Sequence, residues 1–245
     1  MFTWKARLYD QYTSGHVVSQ GELLRAQLAA RMPYLKRLIK EHFPADRSVR
    51  ILDLGCGYGA LLVALRDAGY KSISGVDVSA QQIEAAGSLG ELNLSCRELM
   101  AYLRTQENER FDVIAALDVL EHFPREELLA LVDEVTRVLR RGGSFIVHVP
   151  NGEAIASGAV RYGDLTYELA FTSASLRQLA NACGLQAVRF AEDRPATHGI
   201  VSAARAVLWW LMTIHFRILR MAETGCGYHA PILSQNLLAI LKRPE

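Results

Sequence analysis

The chain has 245 residues, half of them hydrophobic, with a formal net charge of +1 at pH 7. That is enough for one large domain with a full core, and it lacks the basic excess expected of a nucleic-acid partner. The four cysteines, Cys56, Cys96, Cys183 and Cys226, form no C-x-x-C pair, so neither a zinc site nor a disulfide framework is expected and a reduced cytoplasmic setting fits.

Gly21 to Phe43 reads as a helix, with Leu24, Leu28, Leu35 and Leu38 mostly on one face and Pro33 expected to kink or split it. "SVRILDL" is a buried strand. Gly59 to Ala68 is a helix closed by Gly69. "SISGVD" is the second strand, and Ser79 with Gln82 forms a capping box for the next helix. "LNLSC" and "FDVIAAL" are the third and fourth strands. Pro124 to Arg140 is an amphipathic helix, and Gly142-Gly143 turns into the fifth strand, "SFIVHV". A loop rich in glycine and polar residues follows, to about Ala170. Then come a helix ("SASLRQLANAC"), a strand ("LQAVRFAE"), a Trp-rich run and a last strand, "SQNLLAIL".

Strands alternating with helices mean right-handed crossovers and a mostly parallel sheet covered on both faces. We read one domain. Residues 1–45 are a helical extension, 46–151 the cofactor half, 152–232 an acceptor-side loop and insertion, and 233–241 the last strand. The run Ala206 to Leu219 is too short for a membrane span of ~20 apolar residues and is expected to be a buried helix. Trp209 and Trp210, flanked by Arg205 and Arg217, keep an alternative open: peripheral contact with the inner face of the membrane or with a partner enzyme.

The stretch "ILDLGCGYGALLVALRDAGY" carries the chemistry. Gly55, Gly57 and Gly59 follow the first strand and open a helix, which lets the backbone pass close to a ligand at the strand's carboxyl end. Gly55-x-Gly57-x-x-Ala60 fits a dinucleotide fingerprint, but the same turn also serves S-adenosylmethionine. Asp53 decides between them. A carboxylate two residues before the first glycine would repel a pyrophosphate and attract a sulfonium or ammonium. Asp77, ending the second strand, suits the ribose hydroxyls of an adenosine. Asp118, Glu121 and His122 lie on the same carboxyl edge.

In order, "LDLGCGYG", "VDVS", "FDVIAALDVLEHF" and "VLRRGGSFIVHVPN" resemble the motifs of class I S-adenosylmethionine-dependent methyltransferases over Val49 to Asn151. The resemblance implies an α/β Rossmann-like fold: a seven-stranded, mostly parallel sheet with an antiparallel last strand. It implies S-adenosylmethionine as cofactor and S-adenosylhomocysteine as product. Asp53, Gly55, Cys56, Gly57 and Gly59 would hold the methionine part, and Asp77 with Val78 the ribose. Cys96 or Arg97, with Glu98 next, would stand near the adenine, and Asp118, Val119 and His122 beside the methionine part or sulfonium. The N-terminal helix and the "YDQYTSGH" stretch before it, within residues 1–45, would form a lid, with Tyr9, Tyr12 and His16 facing the site.

The acceptor side is read from "RYGDLTYELAFT" and the later "EDRPATHG". Together they resemble a subgroup associated with bacterial surface-polysaccharide biosynthesis, although Tyr167 stands where that subgroup has histidine. The resemblance implies O-methylation of a glycan hydroxyl, with Arg161, Tyr162, Asp164, Tyr167, Glu168 and His198 at the acceptor. An oxygen acceptor needs a base to take its proton. His198 is ranked first, with Asp164 as partner and His122 as alternative. His148, on a central strand, reads as a core or cofactor-floor histidine. His229 with Cys226 makes too small a ligand set for a metal. Two other readings stand beside the glycan one: a small lipid or quinone-type acceptor, and a non-catalytic module docking on a glycan-assembly enzyme.

Overall fold

The computed structural model describes residues 21–193, 199–225 and 232–245. Helix α1 (Gly21–His42) is followed by β1 (Arg50–Leu54), α2 (Ala60–Asp67), β2 (Ser72–Asp77), α3 (Ala80–Gly87), β3 (Leu94–Cys96), α4 (Leu99–Arg104) and β4 (Phe111–Leu117). A single 3-10 turn (Leu120–His122) leads to α5 (Arg125–Val138), β5 (Leu139–Pro150), α6 (Ser157–Arg161), α7 (Ser173–Ala182), β6 (Gln186–Glu192), α8 (Gly199–Thr224) and β7 (Asn236–Lys242). The seven strands form one sheet in the order β3-β2-β1-β4-β5-β7-β6. β1 pairs in parallel with β2 and β4, while β7 is antiparallel to both β5 and β6. β6 therefore runs with β5, and its last residues finish on the edge where β1, β2 and β4 end.

The core divides by strand alternation, because successive side chains leave a strand on opposite faces. Val113, Ala115 and Ile146 point to one face and meet Leu35, Leu38 and Ile39 of α1 and Leu61 and Leu65 of α2. Ile114, Ala116, Phe145 and Val147 point to the other and meet Leu128, Leu131, Val132 and Val135 of α5. The 3–4 spacing of that second set is the stripe the sequence predicts for α5.

Three local expectations change. α1 continues through Pro33 rather than splitting. The capping box at α3 is half made. Ser79 Oγ accepts the Gln82 amide, but the Ser79 amide goes to Asp77 Oδ1 at 2.8 Å, which leaves the Gln82 side-chain oxygen buried without a partner among the described residues. The Trp-rich run is buried on one face only. It forms the middle of α8, where Trp210 is 59% exposed and Leu208 60%. No helix of the described residues is long and apolar enough to cross a membrane.

Candidate functional site

The glycine turn is built by backbone geometry that side chains resist. Gly55, Gly57 and Gly59 have φ of 69°, 52° and 80°, in the left-handed region that L residues with a Cβ rarely adopt. At Gly55 space is also closed. A Cβ there would lie 2.5 Å from Val119 Cγ2, so Val119 packs directly on the turn. The amides of Gly55 and Cys56 both donate to Val76 O, which joins the turn to β2.

Asp77 ends β2 and holds the turn from the side. Its Oδ2 accepts the Gly57 amide at 2.9 Å and its Oδ1 the Ser79 amide at 2.8 Å. Val78, beside it, is exposed. Across from them, Arg97 donates its amide to Asp77 O. Both oxygens of Glu98 accept the Met100 and Ala101 amides and cap α4.

Asp53 is almost fully buried at the floor, and Cys56 is buried beside it. Burial pushes the Asp53 carboxyl up to about 8, the nearby Asp77 adds to the shift, and Arg31 opposes it. Arg31 reaches in from α1. With Asp53, Gly55, Gly57, Tyr58 and Leu117 it lines a cavity of ≈ 80 Å³. A buried, largely protonated acid facing a cation is a poor arrangement by itself. It suits an amino-acid zwitterion, whose ammonium would ionise Asp53 and whose carboxylate would meet Arg31. The residues present thus fit the methionine end of S-adenosylmethionine.

A second cluster lies at the ends of β4, β5 and β6. Asp118 has φ 59°, an unusual conformation for a residue that is not glycine. Its amide donates to His148 O at 2.9 Å. Its Oδ1 lies 2.7 Å from His148 Nδ1, and His148 Nε2 lies 3.3 Å from Asp193 Oδ2. Burial alone would lower the histidine, but the charges and hydrogen bonds of Asp118 and Asp193 outweigh it and raise His148 to about 10. His148 is an imidazolium at neutral pH. Burial works to raise Asp118, yet His148, with Arg31 and His122, holds it below the ordinary carboxylate value. The Tyr34 ring meets His148 edge-on, and Arg37 lies 3.7 Å from Asp193. Beyond Tyr34 a cleft of ≈ 400 Å³ opens between α1, β6 and Arg217.

A third cluster joins the 3-10 turn to the loop after β5. The backbone oxygen of Glu121 accepts the amides of both Glu168 and Leu169. The Glu121 side chain is fully buried, with no hydrogen-bond partner among the described residues for either carboxyl oxygen. Burial, then the Asp118 charge, pushes its carboxyl well above the ordinary value. Beside it, Thr166 Oγ1 lies 2.8 Å from His122 Nδ1 and 2.7 Å from Asp164 Oδ1. An ionised carboxylate only accepts, so the single hydroxyl proton goes to Asp164. Thr166 then accepts from His122 Nδ1–H, and the proton-accepting nitrogen is Nε2. Tyr167 packs edge-on against the His122 ring at 5.0 Å.

The structure brings together Asp53, Cys56, the three glycines, Asp77 and Val119 on one side, and His122, Asp164 and Tyr167 on the other. Arg161 and Tyr162 do not converge with them. Arg161 stacks on the Tyr162 ring, and Tyr162 is 76% exposed. His198, Tyr9, Tyr12, His16, Cys226 and His229 lie outside the described residues. Sequence reasoning missed Arg31, Tyr34 and Thr166 and did not link His148 to acids. Two signals were available. Arg31 interrupts the leucine stripe of α1, and Asp164-x-Thr166 is the spacing of a side-chain-capped turn.

Comparison with known proteins agrees with this geometry. The profile of a family described as a methyltransferase domain matches residues 25–189. A ubiquinone biosynthesis O-methyltransferase of Chelativorans sp. is 29% identical over 54% of this chain and 55% of its own length. One from Azorhizobium caulinodans is 32% identical over 55% and 52%. The chain thus spans about half the length of the curated relatives it matches. Among solved structures, a SAM-dependent methyltransferase from Archaeoglobus fulgidus superposes with a TM-score of 0.60 at 18% identity, covering 97% of this chain and 99% of the other. The 1,6-didemethyltoxoflavin-N1-methyltransferase of Burkholderia thailandensis, solved with S-adenosylhomocysteine, superposes at 0.61 with 16% identity, covering 99% and 89%. The three glycines, the buried Asp53 and the sheet order that carries them account for these matches, and the chain belongs to the family of class I S-adenosylmethionine-dependent methyltransferase domains.

Proposed function

We propose that the protein is an O-methyltransferase acting on a small phenolic, quinone-type acceptor, with His122 as the base. When bound, S-adenosylmethionine supplies an electrophilic methyl group on a sulfonium. Asp53 and Arg31 would hold its amino-acid end and Asp77 its ribose. Asp118, fixed by His148, presents a carboxylate to the sulfonium side. His122 Nε2 takes the proton of the acceptor hydroxyl, while Thr166 and Asp164 keep the ring in the tautomer that can do so. Tyr167, edge-on to the ring, confines the imidazole.

The observation that carries this reading is the Asp164–Thr166–His122 hydrogen-bond chain. A phenol has a pKa of ~10, within reach of an imidazole base, and a sugar hydroxyl lies far above it. The names of the O-methyltransferase relatives support the same choice. The glycan reading is less well supported, because Arg161 and Tyr162, the side chains assigned to grip a sugar, lie away from His122. Radiolabelled methyl transfer from S-adenosylmethionine to a catechol carrying a short prenyl chain is expected, with none to free hexoses or a lipid-linked oligosaccharide. Transfer to the sugar alone would reverse the assignment. No transfer to any acceptor would favour the non-catalytic module.

Asp53 gives a prediction about binding. In the free protein its carboxyl sits at about 8, so at pH 7 it is mostly protonated and must lose that proton to pair with an ammonium. Calorimetry of S-adenosylhomocysteine binding at pH 7 in buffers of different ionisation enthalpy is expected to find proton release, with affinity rising as pH climbs toward 8. Binding without proton release, at a pH-independent affinity, would take Asp53 out of the ammonium site.

A further inference from the structure

We infer that the outer face of α8 is the contact between two copies of this chain, paired antiparallel about a two-fold axis. The inference is independent of the acceptor. α8 divides by residue spacing. Trp209, Thr213 and Phe216 turn toward the body, where Thr213 is buried. Arg217 reaches Glu192 at 3.4 Å and Arg220 reaches Glu153 at 3.1 Å. The opposite face carries Ala204, Val207, Leu211, Ile214, Ile218 and Met221. Leu211 is 52% exposed and Ile218 60%.

Those six positions step by 3, 4, 3, 4 and 3 residues, the seam of a two-helix coiled coil rather than a loose apolar patch. The seam is also symmetric about its middle. Reversed on itself, it sets Leu211 against Ile214, Val207 against Ile218 and Ala204 against Met221. An isologous pair demands that reciprocity, since residue i of one copy meets j of the other and j meets i. Leu208 and Leu219, both exposed, flank the seam on one side.

Charge argues against a lipid surface as occupant. Interfacial helices set lysines and arginines beside the apolar face to meet anionic headgroups. Here Arg217 and Arg220 lie on the body side in ion pairs. Arg205 and Glu223, one charge of each sign, stand at opposite ends of one margin. The outer face itself carries His215 as its one titratable group among the described residues.

The test is the mass of the full chain in solution. Light scattering or sedimentation at ~10 μM protein is expected to give about twice the 27.2 kDa chain mass. Leu211→Glu combined with Ile218→Glu changes two exposed side chains and should give the single-chain mass, with S-adenosylhomocysteine binding retained as proof of folding. A single-chain mass for the wild type would overturn the inference. So would a dimer that survives the double substitution, because the contact would then lie elsewhere. A wild-type monomer that floats with phosphatidylcholine–phosphatidylglycerol vesicles would assign the face to lipid instead.

Discussion

His148→Ala is expected to destabilise the ligand-free protein by about 3 kcal/mol, the lower end of the range for breaking a buried ion pair, or roughly 10 °C in Tm. The substitution removes the imidazolium that neutralises Asp118 and Asp193 and leaves two carboxylates facing a void. The loss stays at the lower end because the Asp118 side chain is 39% exposed and regains water. The pH dependence identifies the cause. His148 is raised from its ordinary value to about 10. Its contribution is therefore fully present below ~6.5 and is lost as pH rises through 10. Asp118 is held low, so its share is present above the ordinary carboxylate pKa and lost in acid. Wild type and His148→Ala should differ most between the ordinary carboxylate value and ~6.5, with the difference shrinking steadily as pH rises toward 10 in thermal melts. Asp53, raised by burial, adds to the alkaline decline in both proteins and cancels in the difference; Glu121 is raised too, but it loses the lowering charge of His148 in the variant and so adds to the difference. A difference that stayed constant from pH 7 to 10 would mean that His148 contributes packing and not charge.

His122→Ala is expected to lower kcat by ~10²–10⁴-fold, the usual range of general-base help, while S-adenosylhomocysteine affinity stays close to wild type. Asp164→Asn should be nearly as damaging for a specific reason. An amide can donate to Thr166, whose hydroxyl would then turn its proton toward His122 Nδ1. That places the ring proton on Nε2, where the acceptor's proton must go. Thr166 acts through His122 and is a positioning residue. Thr166→Val should cut kcat and disturb the rise of rate with pH, and Thr166→Ser, which keeps the hydroxyl, should restore both. Full activity in His122→Ala would return the base to His198. Loss of activity through KM alone would make His122 a binding group.

The cofactor half was legible because its signals are local. Gly55, Gly57 and Gly59 lie within five residues of one another, Asp53 two residues before, and the alternation of strands and helices fixes which edge they share. The sheet's antiparallel strand was expected from the resemblance, and the register β5–β7 bears it out. The acceptor side was less legible because its partners are distant in sequence. His148 meets Asp193 forty-five residues later, and His122 meets Thr166 forty-four residues later. Nothing in composition or periodicity links such pairs. The exposure of α8 escaped for another reason. An apolar run looks the same in sequence whether its second face meets the protein's own core or something outside it.

Asn151 stands at the end of β5, buried, with its side-chain amide donating to the backbone oxygens of Ile232 at 2.6 Å and Ser234 at 2.8 Å. Its own amide donates to Gln235 O. The chain leaves β5 at residue 152 and is held again at 232 by the side chain it has just passed. Everything between, including α6, α7, β6 and α8, is one closed excursion whose two ends are stitched by a single residue. Such an arrangement behaves as a cassette. Its length and content can change at small entropic cost, since closing a loop depends only on the logarithm of its length. The strands that carry Asp53 and Asp77 need not move. A chimera cut just after Asn151 and just before Ile232 is expected to keep the strands of Asp53 and Asp77 provided that its insert also supplies what Asp193 gives His148, what Glu168 and Leu169 give the Glu121 backbone oxygen, and what β6 gives β7.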